Sequence, residues 1–319
     1  MPTTITENAG TSKKISSTRK ISIVQSGGLT GNRDADLAGL IDLFREAAAP
    51  GTDLVVFPEL CTTPYFGATD NDTYKAWAEP VDGTSVRLFA QTAKDLATAV
   101  ILGFYELGPD GEHYNSAVVI EADGSIVTGV DLDGEPVQTY RKTSIPKGLV
   151  ADVPVNEKYF FAEGPGPALF EVAGMRIACL ICYDRTFPEY WLGSLALGAD
   201  VVVPLVSSLG TREKLFQQEL QIRAMETQTW VLAANRGGEE TMDGTTISYF
   251  GLSCIVDPRG ELIAGLPAHT HGQILQATID LAEVAAARSH FPLSRDRQPK
   301  LLLKVADAFL AGEQAGVYA

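Results

Sequence analysis

Three side chains in this sequence are of the types that break an amide-like C–N bond, and each stands where a buried strand should end. Cys182 closes the apolar run 175–182, and the composition turns polar at once with Tyr183, Asp184, Arg185 and Thr186. Pro188 then suits the first turn of a helix. A thiol at such a junction is reachable and lies near backbone N–H groups, which favours thiolate character. Glu59 follows the strand 53–57 (D-L-V-V-F), and Lys142 closes the strand-like run 137–142. Attack by sulfur on a carbonyl needs a nucleophile, a base to take and return a proton, and positive charge where the oxygen becomes negative. Cysteine, glutamate and lysine fill those roles without histidine. Taken singly, each also has a plainer reading, as a small core residue, a loop carboxylate and a surface lysine.

Rival chemistries have weaker support. The four histidines, His113, His269, His271 and His290, do not end buried apolar strands, and His269-Thr270-His271 lies in a turn-rich, exposed stretch. Cys179-x-x-Cys182 would place its two side chains on opposite faces of a strand, and no second pair or nearby histidine completes a metal set. Neither glycine-rich nucleotide motif is present.

The elements that must position these residues follow a repeated order. Strand 21–25, helix 35–48 and strand 53–57 make a βαβ-like unit, followed by helix 85–98 and strands 100–107 and 114–121. Further strands are expected over 126–130 and 137–142, then a loop-rich stretch 150–167 and a hairpin turning at Ala173-Gly174. In the second half a strand over 200–204 precedes a helix over 212–226. Strands at 230–235, 249–256, 261–264 and 272–279 follow. No linker divides the chain. One layered α/β domain over 20–290 is expected, with a flexible tail over 1–19 and an extended C-terminal arm over 291–319 of the kind that packs on another subunit.

The composition bounds the partners. A 319-residue chain with 45% hydrophobic and 20% charged residues has a substantial core. A net charge of −15 without a basic run speaks against nucleic acid, and every apolar run is too short for a membrane span. Residues 1–20 lack the apolar segment of a secretory signal, and four dispersed cysteines fit a reducing cytoplasm.

F-P-E-L-C-T-T-P-Y-F (57–66), Y-R-K (140–142), N-E-K-Y-F-F-A-E-G (156–164) and C-L-I-C-Y-D-R-T-F-P-E (179–189) together resemble the nitrilase superfamily of carbon–nitrogen hydrolases. A-A-N-R (233–236) and F-G-L-S-C-I-V-D-P-R-G-E (250–261) are similar too, so the resemblance runs from about Ile21 to Arg297. It implies a four-layer αββα sandwich and a cofactor-free Cys–Glu–Lys triad acting on a small-molecule amide in a homo-oligomer. Glu59 would be the base, Lys142 the oxyanion stabiliser and Cys182 the nucleophile. The Tyr183 N–H would complete the oxyanion hole, and Glu157 would orient the substrate and the reacting groups. Lys147, the nearest competitor to Lys142, falls outside the Y-R-K position.

Within the superfamily, P-Y-F at 64–66, with Tyr65 expected beside the substrate, and E-K-Y-F at 157–160 resemble the N-carbamoyl amide hydrolases. Arg185 corresponds to a position that holds a substrate carboxylate there, a role suited to a planar guanidinium. Thr186 stands where the D-carbamoylases have a second arginine, which speaks against a D-amino-acid product. Tyr183-Asp184, in place of Trp-Glu, speaks against nitriles.

Overall fold

The computed structural model describes residues 16–49, 51–150 and 152–317. Two sheets face each other. The first runs in the order Gln273–Asp280, Thr18–Gln25, Leu54–Val56, Ala99–Leu107, His113–Ile120 and Thr139–Arg141. The second runs Leu262–Gly265, Cys254–Val256, Trp230–Asn235, Val201–Val206, Met175–Ile181, Ala168–Val172, Gly129–Asp131 and Pro136–Val137.

Each sheet is built on a parallel trio: Thr18–Gln25, Leu54–Val56 and Ala99–Leu107 in the first, Met175–Ile181, Val201–Val206 and Trp230–Asn235 in the second. Parallel neighbours need crossovers, and helices supply them. These are α1 (Arg33–Ala48) and α2 (Thr84–Leu96) for the first sheet, α3 (Pro188–Ala196) and α4 (Glu213–Thr227) for the second.

The strands alternate their apolar residues between the two faces. Val55, Val100, Leu102, Val118 and Ile120 pack on Leu37, Leu40, Ile41 and Phe44 of α1 and Val86, Phe89 and Ala93 of α2. Ile21, Ile23, Leu54, Val56, Ile101 and Val119 belong instead to a cluster that runs through the second sheet to Trp191 of α3 and Phe216, Leu220 and Ala224 of α4. The result is helices, sheet, sheet, helices: the expected αββα sandwich.

Several expected elements change. The run 137–142 divides, Pro136–Val137 pairing in the second sheet and Thr139–Arg141 in the first, so the chain crosses between sheets just before Lys142. The expected strand 249–256 is interrupted where Gly251 and Leu252 take positive φ, 67° and 62°. The stretch expected as loop carries a hairpin, Lys147–Val150 with Val153–Asn156. A second hairpin, Gly237–Met242 with Thr245–Phe250, was not foreseen.

Of the expected tail 1–19, residues 1–15 lie outside the described residues, and the first strand already begins at Thr18. The expected extended arm is largely helical. After α5 (Ala282–His290) comes α6 (Pro299–Gln314), on which Leu301, Leu302, Leu303, Val305 and Leu310 are exposed. Among the described residues no helix is long and apolar enough to cross a membrane.

Candidate active site

Glu59, Lys142 and Cys182 come to the same rim of the sandwich from three strand ends. Glu59 follows Leu54–Val56, Lys142 follows Thr139–Arg141, and Cys182 follows Met175–Ile181. Glu59 and Lys142 are fully buried. Lys142 Nζ donates to Glu59 Oε1 at 2.9 Å and to Glu157 Oε2 at 2.6 Å. Glu157 Oε1 accepts the Tyr65 hydroxyl at 2.8 Å, and Glu59 Oε1 also accepts Asn115 Nδ2 at 2.8 Å. Among the described residues Glu59 Oε2 has no hydrogen-bond partner. A buried carboxylate oxygen without a partner is costly, which is the usual mark of a group kept ready for something else.

The loop carrying Glu59 is held by its own backbone. Its carbonyl accepts Ser207 Oγ at 3.0 Å and Arg236 Nε at 3.2 Å. Arg236, itself fully buried, also donates to the carbonyls of Leu60 and of Thr63, the latter at 2.7 Å, and pairs with Glu240. Leu60 takes φ 46° to make the turn. The neighbouring strand passes so close that a Cβ on Gly103 would lie 2.6 Å from Leu60 N and 2.7 Å from Glu59 Cα. Only glycine fits there.

Cys182 also has a positive φ, 46°, and opens a one-turn 3₁₀ segment, Cys182–Thr186. An L-residue held in this region costs about 1–2 kcal/mol, so the turn must be fixed from outside. Asp184 does this. Its carboxylate accepts the Tyr140 hydroxyl at 2.7 Å and Ser144 N at 2.8 Å, the residues two before and two after Lys142. Burial raises the Asp184 carboxyl to about 6.

The electrostatics correct one expectation. The strand-to-helix junction was expected to favour a thiolate. Instead burial, and after it Glu59, push the Cys182 thiol up to about 12, while Lys142 and Arg185 pull it down by less. Lys142 is already paired with two carboxylates, and the segment after Cys182 is a single 3₁₀ turn. Burial works to lower the Lys142 pKa, but Glu157 and Glu59 outweigh it and hold the ammonium well above its usual range. Glu157 is raised by burial and by Glu59 despite Lys142, and Tyr65 is raised well above an ordinary phenol by burial and then Glu157. The resting site therefore holds a thiol facing an acid–amine–acid row.

A cavity of about 320 Å³ opens onto this row, lined among others by Tyr65, Glu157, Cys182, Tyr183, Arg185 and Ser208. The hairpin Lys147–Val150 with Val153–Asn156 forms one wall, and Lys147 and Arg212 are exposed on its lining. Tyr183 lies beside Cys182, its ring edge-on to Phe187. Arg185, expected at a substrate carboxylate, is only 1% exposed; it is ion-paired with Glu219 and donates to Ser208 Oγ at 3.2 Å. None of the four histidines lines the cavity. Cys179 is buried in the core, apart from the cavity, and the four cysteines are free. Among the described residues no group of three or more His, Cys, Asp or Glu is placed to hold a metal ion.

Sequence reasoning missed Asn115, Ser208, Asp184 and Arg236 as parts of this site. Only Arg236 carried a readable signal, a cation ending the apolar run W-V-L-A-A-N. The other three are ordinary polar residues whose importance comes from what the fold sets beside them.

A family model described as carbon-nitrogen hydrolase matches residues 20–289. A citrullinase of Francisella tularensis subsp. tularensis is 32% identical over 295 residues, covering 88% of this chain and 96% of that protein. An N-carbamoylputrescine amidase of Oryza sativa subsp. japonica is 30% identical over 273 residues, covering 81% and 85%. The crystal structure of a carbon-nitrogen hydrolase from Helicobacter pylori G27 superimposes with a TM-score of 0.79 at 24% identity, over 91% of this chain and 98% of that one.

Proposed function

The chain belongs to the carbon-nitrogen hydrolase family of the nitrilase superfamily and is an amide-hydrolysing enzyme, and we propose that it cleaves an N-carbamoyl amine or amino acid through Cys182, Glu59 and Lys142. The observation that carries the catalytic reading is the unpartnered Oε2 of Glu59, on a carboxylate whose other oxygen is fixed by Lys142. That oxygen takes the Cys182 proton. The sulfur then bonds to the carbonyl carbon, and the C=O electron pair moves onto oxygen, where Lys142 Nζ and the Tyr183 N–H receive it. Collapse breaks the C–N bond, and the amine or ammonia leaves with the proton from Glu59. Water gives a proton to Glu59 and adds to the thioester. Collapse then expels the sulfur, which regains its proton. Burial and Glu59 push the thiol up, so the scheme needs a base beside the sulfur, the role given to Glu59.

One line supports the carbamoyl branch: relatives named for citrulline and N-carbamoylputrescine. A second reading, a general amidase, draws on one observation. Arg185 is already paired with Glu219, which leaves a substrate carboxylate less to bind there. Turnover of carbamoyl-β-alanine, N-carbamoylputrescine, citrulline and simple carboxamides separates the two. A preference of tenfold or more for ureido substrates supports the first reading, and equal or better use of carboxamides overturns it. Cys182→Ala tests the chemistry, since retained hydrolysis in that variant removes the thiol from the mechanism.

A further inference from the structure

The Cys182 sulfur has a polar neighbour besides the acid–amine–acid row. Ser208 Oγ stands 3.6 Å from Sγ. Ser208 follows strand Val201–Val206, and its own N–H donates to Asn235 Oδ1 at 3.0 Å. Asn235 Nδ2 is fixed in turn on the Gly251 carbonyl at 2.6 Å. The backbone of Ser208 is thus pinned by a buried asparagine, which limits where its hydroxyl can lie. Arg185 Nη2 donates to the same oxygen at 3.2 Å. A hydroxyl that accepts from a guanidinium keeps its single proton free to donate, and the sulfur is a neighbour in hydrogen-bonding range.

Arg185 is itself immobilised. Its Nη1 pairs with Glu219 of α4, its guanidinium lies 4.9 Å from the Phe216 ring centre, and its carbonyl accepts Trp191 Nε1 at 2.8 Å. This is a fixed chain, carboxylate to guanidinium to hydroxyl to sulfur, with its positive member buried. It is better built for acting on the sulfur than for gripping a tail of variable length.

We propose that Ser208 is a further catalytic residue, donating its O–H to the Cys182 sulfur whenever that sulfur is anionic, and that Arg185, held by Glu219, is the positioning residue that aims this proton. The inference rests on Cys182 being the nucleophile. The hydrogen bond strengthens as Glu59 removes the thiol proton. It weakens when the S–C bond forms and the charge passes to the carbonyl oxygen. It forms again when the thioester collapses and sulfur leaves as thiolate, so the same hydroxyl assists both halves of the reaction. No proton is transferred from Ser208 at any stage.

The test is alkylation of the intact enzyme with iodoacetamide, which is itself a small amide, read by intact mass across pH 6 to 9.5 beside kcat and KM. The other three cysteines are buried, so a single adduct reports Cys182. Ser208→Ala is expected to slow alkylation and kcat by about tenfold or more, the size of one hydrogen bond to an ion. KM should stay within about twofold, and the rise of rate with pH should move to higher pH. Ser208→Thr, which keeps the hydroxyl, should restore both rates. Arg185→Gln with Glu219→Gln, removing both charges together, should slow alkylation by a larger factor when Ser208 is present than in Ser208→Ala, where only the direct pull of the guanidinium on the sulfur is left to lose. Wild-type alkylation in Ser208→Ala overturns the proposal, and additive effects of the two changes overturn the aiming role of Arg185. If Cys182→Ala still turns over, the nucleophile assignment fails first, whatever Ser208 does.

Discussion

Replacing Lys142 by Met keeps most of its volume and removes its charge, which isolates what the cation does for the two acids around it. In the native site one ammonium is bonded to Glu59 and Glu157. Without it, two buried carboxylates face each other. Groups bonded to one nitrogen lie on the order of 5 Å apart, and at an effective dielectric of about 20 their repulsion is on the order of 3 kcal/mol. That agrees with the roughly 3–5 kcal/mol lost when one partner of a buried ion pair is removed. The variant should therefore melt on the order of 5 °C lower at neutral pH, at roughly 1.5 °C per kcal/mol for a chain of this length.

The sign of the pH dependence is the sharper test. Glu157 is already raised in the native fold, and losing Lys142 raises it further. A raised carboxyl contributes stability below its unfolded pKa, and that contribution is lost as pH rises through the folded value. The deficit of Lys142→Met relative to wild type should thus shrink as pH falls toward the ordinary carboxylate range and grow toward neutrality. Scanning calorimetry of both proteins in matched buffers reads this directly. A deficit independent of pH would mean that the cost is one of packing, and the electrostatic account of the site would fail.

Glu59→Gln should lose at least a thousandfold in kcat and, given substrate, leave Cys182 without a build-up of thioester by intact mass; a full burst of adduct would assign the base elsewhere. Because the thiol is pushed up to about 12, iodoacetamide alkylation of the wild type should still be rising with pH at 9.5, and a plateau near pH 7 would contradict the burial argument. Gly103→Ala puts a methyl onto the backbone of Glu59 and Leu60 and should cut kcat tenfold or more with the fold retained, measured by steady-state rates beside circular dichroism. Cys179→Ala should keep wild-type kcat within about twofold, since that side chain lies in the core away from the cavity; a large loss would place it in the chemistry.

What the sequence displayed was the places where apolar runs stop. The abrupt change from D-L-V-V-F to Pro58-Glu59, and from L-I-C to Y-D-R, marks two strand exits, and both deliver side chains to the same rim. Lys142 was legible as a strand end and by its motif, although the run that carries it is two strands in two sheets. The hairpin walling the cavity was hidden by Gly148 and Pro154, which signal loop in any local reading, yet tertiary packing holds them in paired strands. At the C-terminus Pro299 lies in the stretch 291–319 expected as an extended arm. It opens α6 at the first turn, the same position that Pro188 takes in α3. Ser208 left no trace at all, since its meaning lies in a sulfur and a guanidinium more than twenty residues away in the chain.

Glu59 and Lys142 ride on one sheet and Cys182 on the other, so the gap between the proposed base and the proposed nucleophile is set by how thick the middle of the sandwich is. Ile23, Val56 and Ile101 act in this respect as spacers. An added methylene among them moves two halves of a reacting pair apart by a fraction of an ångström. Turnover should then register such a swap well before heat or urea does, which makes the interior of this enzyme a calibration of its chemistry as much as a source of its stability.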